Sequence, residues 1–295
     1  VGYGDDYWTE KSREVFQNMF GKDTIVYFVS TGTAANVIGL SAFLMPYESV
    51  LCSDEAHINT DETGSIHRFI GCTLHTIENH NGKITVDELK KRKNSLMEVH
   101  NAKPKVVSIS QSTEYETIYS REEICEIAKW AHSENLYLHV DGARIANAAV
   151  ASGCSIKELT KDCGVDLLTL GATKNGCFSA EAIVFFNTDK LPDCIKTGIL
   201  NLEYSQKQGM NLISKMRFCS SQFIPYLKDG LWKTNAEKAN NMALYLEDKL
   251  KMIDKVEIAV PVITNALFVK LPERIVERLR EKYFFYTMSG NIHRF

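Results

Sequence analysis

Short apolar runs alternate with amphipathic stretches through the first two-thirds of the chain. Residues 24–29 (TIVYFV), 49–52, 72–77, 105–110 (KVVSIS), 137–140, 166–170 and 182–186 are mostly apolar and short, so each predicts a buried strand. Between them, 32–45, 60–69, 86–97 and 120–133 predict helices. The last two open on Thr85…Glu88 and Ser120…Glu123, the Ser/Thr-x-x-Glu spacing of a capping box. Strand–helix alternation with short connections predicts an α/β fold, a doubly wound, mostly parallel sheet covered by helices on both faces. The rhythm changes after residue 186. There 200–227 and 235–252 predict two long helices, and 256–260, 266–271 and 273–282 predict strand, strand and helix. The expected organisation is a large domain over 1–199. Residues 200–295 then form a helical connection and a smaller α+β domain.

Composition narrows the class without changing that picture. The 295 residues are 44% hydrophobic and 24% charged, enough for a sizeable core and incompatible with a disordered or collagen-like chain. A net charge of −3 gives no pull toward nucleic acid or an anionic membrane. No apolar stretch reaches the roughly 18 residues of a spanning helix. The opening VGYGDDYWTEKSRE is polar and does not read as a leader. Eight irregularly spaced cysteines, with no Cys-x-x-Cys, read as free thiols in a reducing cytoplasm, and no metal site is expected. Val1 is no initiator and the chain stops at Phe295 inside an apolar run, so both ends are expected to be short of a whole protein.

Four polar segments follow predicted strands, where ligands collect in α/β sheets. In Ser30-Thr31-Gly32-Thr33-Ala34-Ala35-Asn36, a glycine turn opens a helix, and the Gly32 and Thr33 amides with the Thr33 hydroxyl suit a phosphate. Plain N-capping by Ser30 or Thr31 is the simpler alternative. In Ser53–Glu62, His57 and Glu62 are candidates for a base and its orienter, or for a ring stacked on a planar ligand; a capped helix start is the plainer option. In His139-Val140-Asp141-Gly142-Ala143-Arg144, an aspartate leaving an apolar strand needs a cation. That cation is either Arg144, in a structural ion pair, or a protonated ring nitrogen. In Gly171-Ala172-Thr173-Lys174-Asn175-Gly176, a lysine directly after an apolar strand is poorly placed to reach water. A partly buried lysine of that kind has a lowered pKa and attacks carbonyls; a surface lysine on a turn is the alternative.

Taken in order, these segments resemble the L-threonine aldolase family, pyridoxal-phosphate enzymes of the beta-eliminating lyase superfamily with the aspartate-aminotransferase fold type. The resemblance runs from VGYGDD through STGTAAN, DEAHINTDETG, QSTEYET, HVDGARIANA and GATKNG to SKMRF and IHRF, and HVDGARIANA and GATKNG are its most specific parts. It implies pyridoxal 5′-phosphate held covalently by Lys174, with Asp141 on the pyridine nitrogen and Gly32 and Thr33 on the phosphate. It places His57 against the ring and near the substrate hydroxyl, and Arg144 near the cofactor's phenolic oxygen and the substrate carboxylate. Arg294 would clamp the α-carboxylate, and Arg217 would reach the phosphate of a neighbouring subunit.

The implied reaction is cleavage of a β-hydroxy-α-amino acid to glycine and an aldehyde. His57 is then the first candidate base, and Glu114 and Glu62 are alternatives. A different pyridoxal-phosphate lyase on the same scaffold is the runner-up. The implied assembly is a homodimer or homotetramer in the cytoplasm, acting on a small amino acid without nucleic acid or membrane. One branch of the family carries histidine where this chain has Glu114, and the other carries Thr-Glu, as Thr113-Glu114 does here. Members often carry glycine where this chain has Glu116. The segment that precedes VGYGDD in the family and the strand beyond Arg294 are also expected to be missing.

Overall fold

In a computed structural model, which describes every residue except Met97 and Ser289, seven strands form one sheet. They are β1 (Ile25–Val29), β2 (Glu48–Ser53), β3 (Thr73–Ile77), β4 (Lys103–Ser110), β5 (Tyr137–Gly142), β6 (Leu167–Gly171) and β7 (Glu181–Phe185), in the spatial order β1-β7-β6-β5-β4-β2-β3. Strands β3, β2, β4, β5 and β6 are parallel. Strand β7 runs antiparallel to both β6 and β1.

The two-residue period of a strand explains why these runs are apolar throughout. Val26, Phe28, Leu51, Val107, Leu138, Leu168 and Val184 enter the core on one face. Their neighbours Val29, Val50, Val106, Leu167, Ile183 and Phe185 enter the core on the other. Helices Tyr7–Phe20 and Arg121–Ser133 cover the first face through Phe16, Phe20, Ile124 and Ile127. Helices Gly32–Ser41 and Asp193–Leu200 cover the second through Val37, Leu40, Ile195 and Ile199. The sheet is therefore doubly wound, as the alternation predicts.

Both predicted capping boxes form, with Thr85 and Ser120 as N-caps. Several predicted helices are shorter or broken, each for a local reason. The helix expected over 32–45 ends at Ser41, whose hydroxyl donates to the Ile38 carbonyl at 2.7 Å, with Pro46 ahead. The stretch 60–69 splits into His57–Thr60 and Ser65–Phe69, because Thr63 and Gly64 take φ of +53° and +68° and cannot continue a right-handed helix. The helix over 86–97 is found as Val86–Asn94; its expected end at Met97 lies outside the described residues. The long helix expected over 200–227 is instead Leu202–Gln208, Arg217–Ser220 and a π turn Ile224–Lys228. It breaks where Met210 adopts φ +59° and Asn211 turns back to accept the Ser30 hydroxyl at 3.0 Å. The second long helix runs over Leu231–Leu250. Helices Tyr7–Phe20, Ile145–Ser152 and Asp193–Leu200 are elements the apolar pattern does not predict.

The C-terminal layer holds a four-stranded antiparallel sheet of β8 (Glu257–Ile258), β9 (Phe268–Lys270), β10 (Tyr286–Thr287) and β11 (Ile292–Arg294), in the order β10-β11-β9-β8. It has its own small core around Leu267, Val269, Leu271, Val276 and Phe285. Met216, Phe223 and Tyr226 pack into the large core, so the connecting segment belongs physically to the large sheet. No described helix is long and apolar enough to cross a membrane.

Candidate active site

The carboxyl ends of β5 and β6 approach closely because Gly171 lacks a side chain. A Cβ there would lie 2.8 Å from the Ala143 Cα and 2.9 Å from its carbonyl oxygen. Beside these strand ends lies a cavity of about 280 Å³, lined by the Ser30–Thr33 turn, Asn36, His57, Glu62, Glu114, Asp141, Lys174 and Glu181 among others. The fold thus brings together most of the predicted site residues, from Gly32 to Lys174, 142 positions apart.

At one end of the cavity, Thr31 is the N-cap of helix Gly32–Ser41 and accepts the Ala34 amide at 3.2 Å. N-capping and an anion turn are therefore not alternatives here, for capping leaves the Gly32 and Thr33 amides without a protein acceptor among the described residues. A Cβ on Gly32 would meet nothing within 4 Å, and its φ is not left-handed. The glycine serves openness toward the cavity rather than a tight turn.

Asp141, 8% exposed, is not paired with Arg144. Its carboxylate accepts the Asn36 side-chain amide at 2.9 Å and the Ala143 backbone amide at 3.0 Å, both neutral donors. Asn36 is the hub of a buried polar chain. Its amide nitrogen also donates to Glu62 Oε1 at 2.8 Å, and its oxygen accepts the Thr169 hydroxyl at 2.9 Å. Thr169 lies 3.3 Å from His139 Nε2, and His139 Nδ1 lies 2.9 Å from the Ser108 hydroxyl. His139 is fully buried, and that burial pushes its pKa down to about 4, so it belongs to this network as a neutral ring.

The other end of the chain is His57. Its Nδ1 sits 2.8 Å from Glu62 Oε1, and a carboxylate only accepts, so Nδ1 carries the proton and a neutral ring keeps Nε2 as a base. The bond to Glu62 raises the His57 pKa, against burial, with Asp141 adding to the rise. Burial raises the pKa of Glu114, which faces the same cavity, while the nearby Arg144 pulls it back.

Lys174 occupies a short 3₁₀ turn, Thr173–Asn175, after β6. Asn175 pins that turn by donating to the Tyr226 hydroxyl at 2.9 Å and the Trp232 carbonyl at 2.8 Å. Contrary to expectation, the lysine is not shut away from water, since it is exposed through the open cavity. The protein packed around it still lowers its pKa by desolvation, and Arg144 lowers it further. Glu181, which heads β7, was not among the predicted site residues. Burial lifts its pKa to about 7, opposed by hydrogen bonds from Thr173. A charged residue leading the wholly buried strand EAIVF was its sequence signal.

Arg144 and Arg294 lie outside the cavity lining and meet on a third residue, Glu116. Arg144 Nε is 3.1 Å from Glu116 Oε1, and an Arg294 terminal nitrogen donates to the same oxygen. Arg217 stands apart from the cavity, against the N-terminal segment. It donates to the Val1 carbonyl at 2.7 Å and lies 4.0 Å from the Asp6 carboxylate. All eight cysteines are free, and no cluster of metal-ligating side chains occurs among the described residues.

Comparison with known proteins agrees with this geometry. The chain matches the beta-eliminating lyase family over residues 1–274 and belongs to that family of pyridoxal-phosphate-dependent lyases. It is 38% identical, over 291 residues, to the low-specificity L-threonine aldolase of Pseudomonas sp. strain NCIMB 10558, covering 98% of this chain and 82% of that protein. The low-specificity L-threonine aldolase of Escherichia coli K12 is 29% identical over 195 residues, 66% of this chain and 57% of that one. A solved structure of Leishmania major threonine aldolase superposes with a TM-score of 0.91 at 29% identity, covering all of this chain and 85% of that one. The expected fold class, pyridoxal-phosphate fold type I, is the one found.

Proposed function

We propose that the chain cleaves threonine or allo-threonine to glycine and acetaldehyde, using pyridoxal 5′-phosphate bound covalently through Lys174. The observation that carries this reading is Asp141, a buried carboxylate held only by neutral donors in the cavity that Lys174 enters. A buried carboxylate of this kind is stabilised by a cation, and a protonated pyridine nitrogen is one. Two other features fit the cofactor. The Gly32–Thr33 amides open a helix toward free space, as a phosphate requires. Glu62 Oε2 is buried without a hydrogen-bond partner, a polar atom left over beside the stacking position of His57.

Bound there, the cofactor supplies an electron sink for the charge left on Cα when the Cα–Cβ bond breaks. The chain's residues do the rest. Lys174, with its lowered pKa, presents a neutral amine at a lower pH than a free lysine. Asp141 holds the proton on the ring nitrogen. His57 Nε2 takes the proton from the β-hydroxyl, and Glu62 fixes the ring's tautomer for that task. Glu114 is the alternative base. Arg144 and Arg294 hold the α-carboxylate and thereby orient the bond to be broken. By the same reading the enzyme is cytoplasmic, a homodimer or homotetramer, with Arg217 directed at a neighbouring subunit's phosphate.

Borohydride reduction of the enzyme loaded with pyridoxal phosphate, followed by peptide mapping, should label Lys174; label on another lysine refutes the assignment. Product analysis with L-threonine should yield glycine and acetaldehyde. Ammonia with a keto acid would establish the second reading, β-elimination, which the name of the matching family favours.

A further inference from the structure

Glu116 sits in the loop after β4 at φ +58°, a conformation natural to glycine and unfavourable for a residue with a Cβ. Its side chain is buried and bonded on both oxygens. Oε1 takes Arg144 and Arg294, as described. Oε2 accepts the Ser112 hydroxyl at 2.9 Å and the Thr264 hydroxyl at 2.7 Å. Ser112 and Arg144 come from loops of the large sheet; Thr264 and Arg294 come from the C-terminal layer. Among the described residues, Arg144 pairs with Glu116 alone, through Nε, and its terminal nitrogens donate no hydrogen bond.

We propose that Glu116 is a positioning residue that assembles the substrate-carboxylate receptor. It gathers guanidiniums from two layers onto one oxygen. By engaging Arg144 through Nε, it leaves that residue's terminal fork free for a carboxylate. The inference rests on the aldol-cleavage reading for which carboxylate is bound. Charge then sets specificity. Two guanidiniums and one carboxylate leave a single positive charge, matched to a monocarboxylate. Without Glu116 the arginines repel one another, and a doubly positive receptor favours a dicarboxylate.

The test uses E116Q, E116G and E116D in the holoenzyme, with acetate and succinate as competing probes. Glycine accepts φ +58°, so E116G removes the carboxylate without straining the backbone. In E116Q and E116G, the KM for L-threonine should rise about tenfold, the scale of one charge-assisted hydrogen bond, with kcat within about threefold. The ratio of succinate to acetate inhibition constants should fall about fivefold or more in both, while E116D keeps it near that of the wild type. A KM that falls in E116Q would make Glu116 an internal competitor that substrate must displace, and the proposal would be wrong. An unchanged KM or an unchanged ratio overturns it equally. The Tm rise that each carboxylate produces in the cofactor-free proteins reads the receptor without turnover. If the wild type fails to make glycine and aldehyde, the cleavage reading fails alone. The Glu116 proposal still stands or falls on whether the acetate and succinate shifts reorder between wild type and variant.

Discussion

Asp141, Asn36, Thr169 and His139 form the floor of the cavity, and Glu116, Arg144 and Arg294 form a wall beside it. The two are held in different ways. The floor residues sit on strands β5 and β6 and on the helix after β1, all at most 8% exposed, and a continuous run of hydrogen bonds joins them to Glu62 and His57. Their positions follow from the sheet register, in which Asp141 pairs with Thr169. The wall draws on loops and on β11, a three-residue strand of the small sheet, and a single glutamate joins its two arginines. Chemistry shared by a class of reactions belongs on the rigid floor, where a proton must stay at one atom. Discrimination between substrates belongs on the wall, where one side chain can alter charge and shape without disturbing the sheet.

Five substitutions sharpen or break that division. Lys174→Ala should have the largest effect, reducing turnover to background while cofactor-free protein keeps the wild-type Tm. A large loss of Tm would mean that the lysine turn is structural. His57→Ala should lower kcat by about 10²–10⁴-fold with little change in KM, as expected for loss of a general base. A change of only a few-fold would leave His57 as a stacking residue and make Glu114 the base. Arg294→Lys should raise the KM for L-threonine roughly 10–100-fold with kcat nearly kept, since an ammonium cannot reproduce the fork. If kcat falls and KM does not, the wall takes part in the chemistry and the comparison fails.

Glu181→Gln should have the smallest effect on turnover, and its signature is stability. The folded pKa of Glu181 is raised to about 7, above its unfolded value, so the folded state binds the extra proton between about 4.5 and 7. The wild type must therefore lose stability relative to the variant as pH rises through that window. The variant's Tm should match the wild type's at pH 4 and exceed it at pH 8, by on the order of 1–3 kcal/mol in stability. Equal curves at both pH values would show that the buried carboxyl carries no such cost.

The pH dependence of kcat offers a finer probe of the floor. Glu62 raises the pKa of His57, so the ring becomes a base only at a higher pH than a free histidine. Glu62→Gln should move the rising limb of the kcat profile toward lower pH. A shift the other way, or none, would separate His57 from the limb.

What the sequence determined by itself is the sheet and its floor. A strand buried on both faces needs a continuous apolar run, so β1, β4, β5, β6 and β7 were legible as such, and so were the polar residues that break the pattern at their ends. Asp141, Lys174, Gly32 and Thr33 stand out because each lies within four residues of the end of such a run. Local capping chemistry also shows in the sequence, and both Ser/Thr-x-x-Glu boxes form as read. Tertiary structure decided everything that depends on partners distant along the chain. Nothing local marks Asn36 as the hub joining Glu62, Asp141 and Thr169, since those partners lie 26, 105 and 133 residues away. Arg144 lies three residues from Asp141 yet pairs with Glu116, which shares its oxygen with an arginine 178 positions on. Spacing along a sequence fixes which groups lie at one strand end; only the packing of layers fixes which charges meet, because an ion pair forms across whatever distance the fold has closed.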